Sequence, residues 1–262
     1  MKQIIVFATL MLLGAGCELP WYTEESMMTS KGIAVEEQEV VSDAFRGMYY
    51  VPAERSGKLP GVLVIHEWWG LNDQIKEESK KLAAEGYAVF AIDLYDGEVA
   101  ADSKRAGELV GAVRANPDGA EAKMKAALDF LATQPDVAGE RLASLGWCFG
   151  GGMSGLIGSS GDARLRATVI YYGTPVTDSV RLSKMTQPVL GIWGADDQSI
   201  PVASVQSFES SLKAQGTDAN FHIYEGAGHA FANPTRSDSY RPEATADAWA
   251  KTLAFLKKNL NP

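Results

Sequence analysis

Residues 141–152 read Arg-Leu-Ala-Ser-Leu-Gly-Trp-Cys-Phe-Gly-Gly-Gly, and the fold turns on how this stretch is understood. The first part, RLASLGW, is a short apolar run of strand character. The part from Phe149 to Ile157 is small and apolar, as expected of a helix packed closely on a sheet. Between them stands Gly146-Trp147-Cys148-Phe149-Gly150. A sharp strand-to-helix turn calls for glycine at both flanks, because side chains there collide with the neighbouring strand and helix. The turn holds Cys148 at a helix N-terminus, where the backbone dipole favours a thiolate. Two other readings stay open at this point. A glycine-rich turn also cradles a pyrophosphate, but that use expects G-x-G-x-x-G and an acidic residue at the end of the next strand, which here ends Tyr171-Tyr172-Gly173. A cysteine in such a turn also serves as plain packing.

Outward from this turn the chain alternates between strand and helix patterns. Residues 37–51 carry two short strand-like stretches, and 61–66 (GVLVIH) is a continuous apolar run of the kind buried on both faces of a parallel sheet. Helical spacing follows over 73–85 and stops at Gly86, then a second buried strand at 87–92. Residues 103–115 and 118–132 read as helices, with Pro117 opening the second. Beyond the turn come strands at 167–172 and 188–193, a helix at 201–215 stopped by Gly216, a last strand at 219–224 and a terminal helix at 243–259. This alternation predicts one α/β domain over 35–262, with a mostly parallel sheet covered by helices on both faces.

Two further loops complete the chemistry. Gly194-Ala195-Asp196-Asp197 follows the strand PVLGIW, and Gly226-Ala227-Gly228-His229 follows FHIY. Both put a polar group at the C-terminal end of a predicted parallel strand, where α/β sheets build their sites. An Asp pair in a turn is ordinary turn chemistry and a lone His has many uses, but nucleophile, acid and base stand here in one consistent chain order.

The chain has 262 residues, 46% of them hydrophobic, and a formal charge of −9. Without a basic block, nucleic acid and anionic membrane surfaces are poor partners. The three His and two Cys exclude cysteine-rich zinc modules and disulfide scaffolds, and no cluster has ligand spacing, so neither a metal nor a cofactor is expected. His66 reads as a structural residue that orients Glu67, and His222 as a surface residue. Trp68, Trp69 and Trp147 read either as pocket lining or as core.

The segments VIHEWWGLN (64–72), AIDLYDG (91–97), LGWCFGGG (145–152), GADDQSIP (194–201) and YEGAGHAFAN (224–233) together resemble the dienelactone hydrolase family of α/β-hydrolases. The likeness spans roughly residues 40–258. It implies an α/β-hydrolase fold and cleavage of a small-molecule ester or lactone. It makes Cys148 the nucleophile, His229 the base and Asp197 rather than Asp196 the acid. It makes Glu67 the carboxylate that holds the resting thiol, and the Phe149 and Trp68 N–H groups the oxyanion donors. One departure bears on substrate: the family's substrate-binding Arg falls at Asn233, with Arg236 close by in the chain. A non-hydrolytic binding protein or a thiol-redox protein keeping the same fold is the alternative reading.

Residues 1–17 (MKQIIVFATLMLLGAGC) have the plan of an export signal: Lys2, an apolar stretch broken by Thr9, then Gly14, Ala15 and Gly16. The apolar run is too short to span a bilayer, which takes about 20 residues. It ends directly on Cys17, which resembles a bacterial lipoprotein signal, although Gly14 stands where such signals usually carry Leu. The expectation is a signal peptide over 1–16, lipidation at Cys17, a tether over 17–34 and a periplasmic or cell-envelope lipoprotein held to the membrane by that anchor. With Cys17 acylated, Cys148 has no partner within the chain.

Overall fold

The computed structural model describes residues 5–7 and 32–260. A three-residue strand, β1 (Ile5–Phe7), lies antiparallel along β2 (Val35–Val41), which pairs antiparallel with β3 (Arg46–Pro52). The chain continues through β4 (Leu59–Ile65), α1 (Asp73–Ala84), β5 (Ala88–Asp93), α2 (Ser103–Ala115), α3 (Pro117–Thr133), β6 (Val137–Trp147), α4 (Phe149–Gly158) and β7 (Leu165–Tyr171). It ends with a short α5 (Ser179–Leu182), β8 (Val189–Gly194), α6 (Val202–Ala214), β9 (Ala219–Tyr224) and α7 (Pro242–Leu260). The sheet order is β1-β2-β3-β5-β4-β6-β7-β8-β9, and every pairing from β5 through β9 is parallel.

The parallel strands are buried because helices cover both faces. In β4, Val62 and Val64 join a core with Ile75 and Leu82 of α1, Phe208 and Leu212 of α6 and Leu256 of α7. Leu63 and Ile65 point the other way, into a second core with Met124, Leu128 and Leu131 of α3 and Ile157 of α4. Alternation along one strand thus feeds two layers, which is why GVLVIH carries no polar residue before His66. The helices begin at capping side chains: Asn72 accepts from the Ile75 N–H at 3.2 Å, Asp102 from Arg105 at 2.8 Å and Asn116 from Gly119 at 3.0 Å.

The expected elements are present, with four differences. The strand entering the central turn starts at Val137, so its first residues pair with Leu59 and Pro60 across a register shift. Strand β7 stops at Tyr171, and Tyr172 takes a left-handed φ of 34° instead of extending it. The α5 turn had no periodicity long enough to show. Finally, β1 falls in the stretch expected to be an export signal. Removing it leaves β2 as the sheet edge with Glu36, Glu37 and Glu39 exposed, charges of the kind that guard an edge against unwanted pairing. Cys17 and most of the tether lie outside the described residues.

The order of strands locates the crevice. From β4 the chain moves to β5 on one side and then to β6 on the other. The loops after β4 and β6 therefore leave in opposite directions and open a gap at the C-terminal ends of these strands. Glu67 and Trp68 follow β4, and Cys148 follows β6.

Candidate active site

Cys148 occupies the turn between β6 and α4 with φ 57° and ψ −118°, a conformation that a non-glycine residue adopts only when its surroundings force it. A Cβ on Gly146 would sit 2.1 Å from the Gly150 carbonyl oxygen, and one on Gly150 would sit 2.2 Å from that of Ile65 and 2.5 Å from that of His66. The G-x-C-x-G pattern is therefore a packing requirement. The turn closes on itself and presses against the end of β4 at Ile65 and His66. The half-buried Cys148 lies against both cores, at their seam.

A similar close approach joins the other two loops. A Cβ on Gly194 would meet the Ala227 carbonyl oxygen at 2.1 Å, and the Asp196 N–H donates to that same oxygen at 2.9 Å. The end of β8 is thereby fastened to the loop after β9. Asp196 is exposed, while Asp197 is buried and accepts from the Ser199 and Ile200 N–H groups through Oδ1, at 2.7 and 3.1 Å. Its Oδ2 lies 2.7 Å from His229 Nδ1, and His229 Nε2 lies 3.1 Å from Cys148 Sγ. The three side chains form one unbroken line of hydrogen bonds from sulfur to carboxylate.

Electrostatics follow from these contacts. Burial works against a charged imidazole, but the bonds to Asp197 and Cys148 outweigh it and push the His229 pKa up to about 10. The ring therefore keeps a proton at neutral pH. Asp197 has the complementary balance: burial raises its pKa, and the His229 bond and charge with the two backbone N–H groups hold it below its ordinary 3.8.

Glu67 is placed differently from the expectation. It does not hold the thiol: Cys148 Sγ bonds to His229, while Glu67 Oε2 accepts from Asn233 Nδ2 at 2.7 Å and Oε1 from the Tyr172 hydroxyl at 3.3 Å. Burial pushes its pKa up, against the Asn233 bond, the His229 charge, the Tyr172 bond and the Arg236 charge. His66 also differs. It orients the Glu67 peptide and not the carboxylate, since Nδ1 lies 2.5 Å from the Glu67 carbonyl oxygen while Nε2 accepts from the Leu94 N–H at 3.1 Å. That acceptor role fixes the proton on Nδ1, and full burial lowers the ring's pKa and keeps it neutral. His222 is half-buried on β9, the edge strand, and not fully at the surface. Trp147 is core, packed on Tyr171 with ring centroids 5.5 Å apart, whereas Trp68 and Trp69 are half-buried and in mutual contact at 4.8 Å.

Two tyrosines absent from the expected site are part of it. Tyr172 is fully buried; its hydroxyl reaches Glu67 and its ring meets His229 at 5.3 Å and Phe231 at 5.7 Å. The signal was its place at the end of the strand next to β6, directly before Gly173. A Cβ on Gly173 would meet the Gly151 backbone at 2.3 Å, so this bend too is pressed against the central turn. Tyr95 donates from its hydroxyl to the Trp68 carbonyl at 3.1 Å and packs its ring on Phe149 at 5.8 Å. It thus touches both residues expected to donate N–H groups, Trp68 at its carbonyl and Phe149 at its ring.

A mostly parallel sheet covered on both faces, with Cys, Asp and His converging at the C-terminal strand ends, defines an α/β-hydrolase. The family model described as "Dienelactone hydrolase family" matches residues 45–260, and the chain belongs to that family. It is 33% identical over 205 residues to "Protein usf" of Aquifex pyrophilus, covering 77% of this chain and 89% of that protein. It is 31% identical over 248 residues to a protein of Methylorubrum extorquens named "Putative carboxymethylenebutenolidase", covering 90% and 83%. The solved structure titled "m3DLH" superposes with a TM-score of 0.81 at 28% identity, covering 87% of this chain and 100% of that one.

Proposed function

We propose that the protein is a cell-envelope hydrolase that cleaves esters or lactones through Cys148, His229 and Asp197. The observation that carries this reading is the continuous relay, Sγ to Nε2 at 3.1 Å and Nδ1 to Oδ2 at 2.7 Å, in a crevice at the strand ends. With the proton already held on His229, the Cys148 sulfur attacks the acyl carbon as a thiolate to give a tetrahedral oxyanion. The N–H of Phe149, in the first turn of α4 where helix N–H groups have no intrahelical acceptor, and the N–H of Trp68 receive that oxyanion. Collapse breaks the bond to the leaving oxygen, which takes the proton from His229 to form the alcohol and leaves an acyl thioester. His229 then draws a proton from water, which attacks the thioester and releases the acid. Asp197 keeps the ring in the tautomer this needs and offsets its charge. Membership of a hydrolase family supports the reaction class, and the sequence ending at Cys17 supports the anchor and the location.

Brief incubation with p-nitrophenyl acetate, acid quench and intact-mass measurement tests the covalent step. An acetyl adduct on Cys148 is expected, with turnover abolished by Cys148→Ala. Undiminished turnover in that variant ends the proposal.

A further inference from the structure

The peptide that joins Glu67 to Trp68 is fastened at its carbonyl. His66, directly after β4, is fully buried. Its Nδ1–H donates to the Glu67 carbonyl oxygen at 2.5 Å, and the Gly70 N–H donates to the same oxygen at 3.3 Å across the turn that follows. The ring is itself anchored. Its Nε2 accepts from the N–H of Leu94, directly after β5, at 3.1 Å, and it packs on Tyr95 and Phe149 with centroids 4.6 and 5.9 Å apart. On the other side of the Glu67 Cα, the carboxyl group is tied to Asn233 and Tyr172. The Trp68 N–H belongs to the same peptide unit as the Glu67 carbonyl. No peptide of the described residues is cis, and a trans peptide is planar with its N–H opposite its C=O. Fixing the Glu67 oxygen therefore fixes the direction of the Trp68 N–H. Among the described residues that N–H makes no hydrogen bond, so the structure holds a donor that is aimed and unused.

Resting on the hydrolase reading, in which the Trp68 N–H receives the oxyanion, we propose that His66 is a positioning residue for that donor. It acts through the Glu67 carbonyl and not on the substrate. Oxyanion donors work because they are oriented before the charge develops, so that nothing has to turn when it does. A peptide in a loop keeps one orientation only if its partners do, and here the partner is a ring locked between the end of β5 and the first residue of α4. Removing one oxyanion donor from an enzyme costs about 10^2–10^3 in kcat, and a donor that stays but is poorly aimed costs part of that.

His66→Asn and His66→Leu test this as a pair. The two side chains are close in size, and both lose the acceptor for the Leu94 N–H. Asn keeps an N–H at the place of Nδ1 and Leu does not, so the variants differ in the bond to the Glu67 carbonyl. With p-nitrophenyl acetate, kcat is expected to be at least about 10-fold lower in His66→Leu than in His66→Asn, with KM within about 2-fold, since acylation and deacylation both pass through an oxyanion. Iodoacetamide alkylates Cys148 by displacement at carbon and forms no oxyanion, so its rate is expected to agree within about 2-fold between the variants. Equal kcat in the two variants, beside a wild type that turns over the ester, overturns the inference while the hydrolase stands. A loss in His66→Leu that appears equally in alkylation overturns it too, because the residue then supports the cysteine turn and not the donor. One further measurement needs no variant: long-range proton–nitrogen NMR spectra of histidine-labelled wild-type protein. A proton on His66 Nδ1 is expected, and a proton on Nε2 in its place overturns the inference even where neither variant folds. Absence of ester turnover in wild-type protein whose Cys148 alkylates refutes the hydrolase reading and takes this inference with it.

Discussion

Asp197 is the residue whose role can be separated most cleanly from its packing. Asp197→Asn keeps the shape but offers a neutral amide to His229 Nδ1, so the ring loses both its charge partner and its enforced tautomer. Turnover of p-nitrophenyl acetate is expected to fall by on the order of 10^4 with KM little changed, as steady-state kinetics would show. Stability carries the same signature. The folded-state pKa lies below 3.8, so the carboxylate's contribution is complete above that value and is lost as pH falls through the folded value. Melting temperature measured against pH should therefore drop less steeply below pH 3.8 in Asp197→Asn than in the wild type. The Cys148, Asp197 and His229 roles were legible because each is a distinct residue type after a recognisable strand. Tyr172 and Asn233 were not, since their partner Glu67 lies 105 and 166 residues away and no local pattern encodes that meeting.

At the scale of elements, glycines divide into those the packing demands and those it does not. Gly107 and Gly111 lie on exposed positions of α2, with nothing within 4 Å of an added Cβ. Gly107→Ala and Gly111→Ala are each expected to add about 0.5–1 kcal/mol in urea titrations, by restricting the unfolded chain and improving helix propensity. Gly150→Ala has the opposite outlook, because its Cβ would collide with the backbone of β4 and neither strand nor turn can yield separately. A loss of about 3 kcal/mol is expected in the same titration, together with loss of ester turnover. The flanking glycines of the turn were readable in advance. The bend at Tyr172 was not, because its left-handed φ arises where β7 passes the central turn and Gly173 meets Gly151.

For the whole molecule, the sheet brings together loops that follow β4, β6, β7, β8 and β9, and the site belongs to no single segment. The proposed anchor acts at this scale too. If Cys17 carries lipid, the wild-type protein partitions into a Triton X-114 detergent phase, and Cys17→Ser moves it to the aqueous phase with ester turnover unchanged. Recovery of both forms in the aqueous phase would remove the anchor. By itself the sequence determined the alternation of buried strands and amphipathic helices, the turn that needs its glycines, and the order of nucleophile, acid and base. All three are written in local residue type and spacing. Only the tertiary structure decided that Glu67 answers to Asn233 and Tyr172 and not to the sulfur, that His66 holds a peptide and not a carboxylate, and that Tyr95 and Tyr172 brace the site. Those partners are set by which strand ends become neighbours in the sheet, and hydrogen bonds reaching only about 3 Å choose among whatever groups that folding leaves within range.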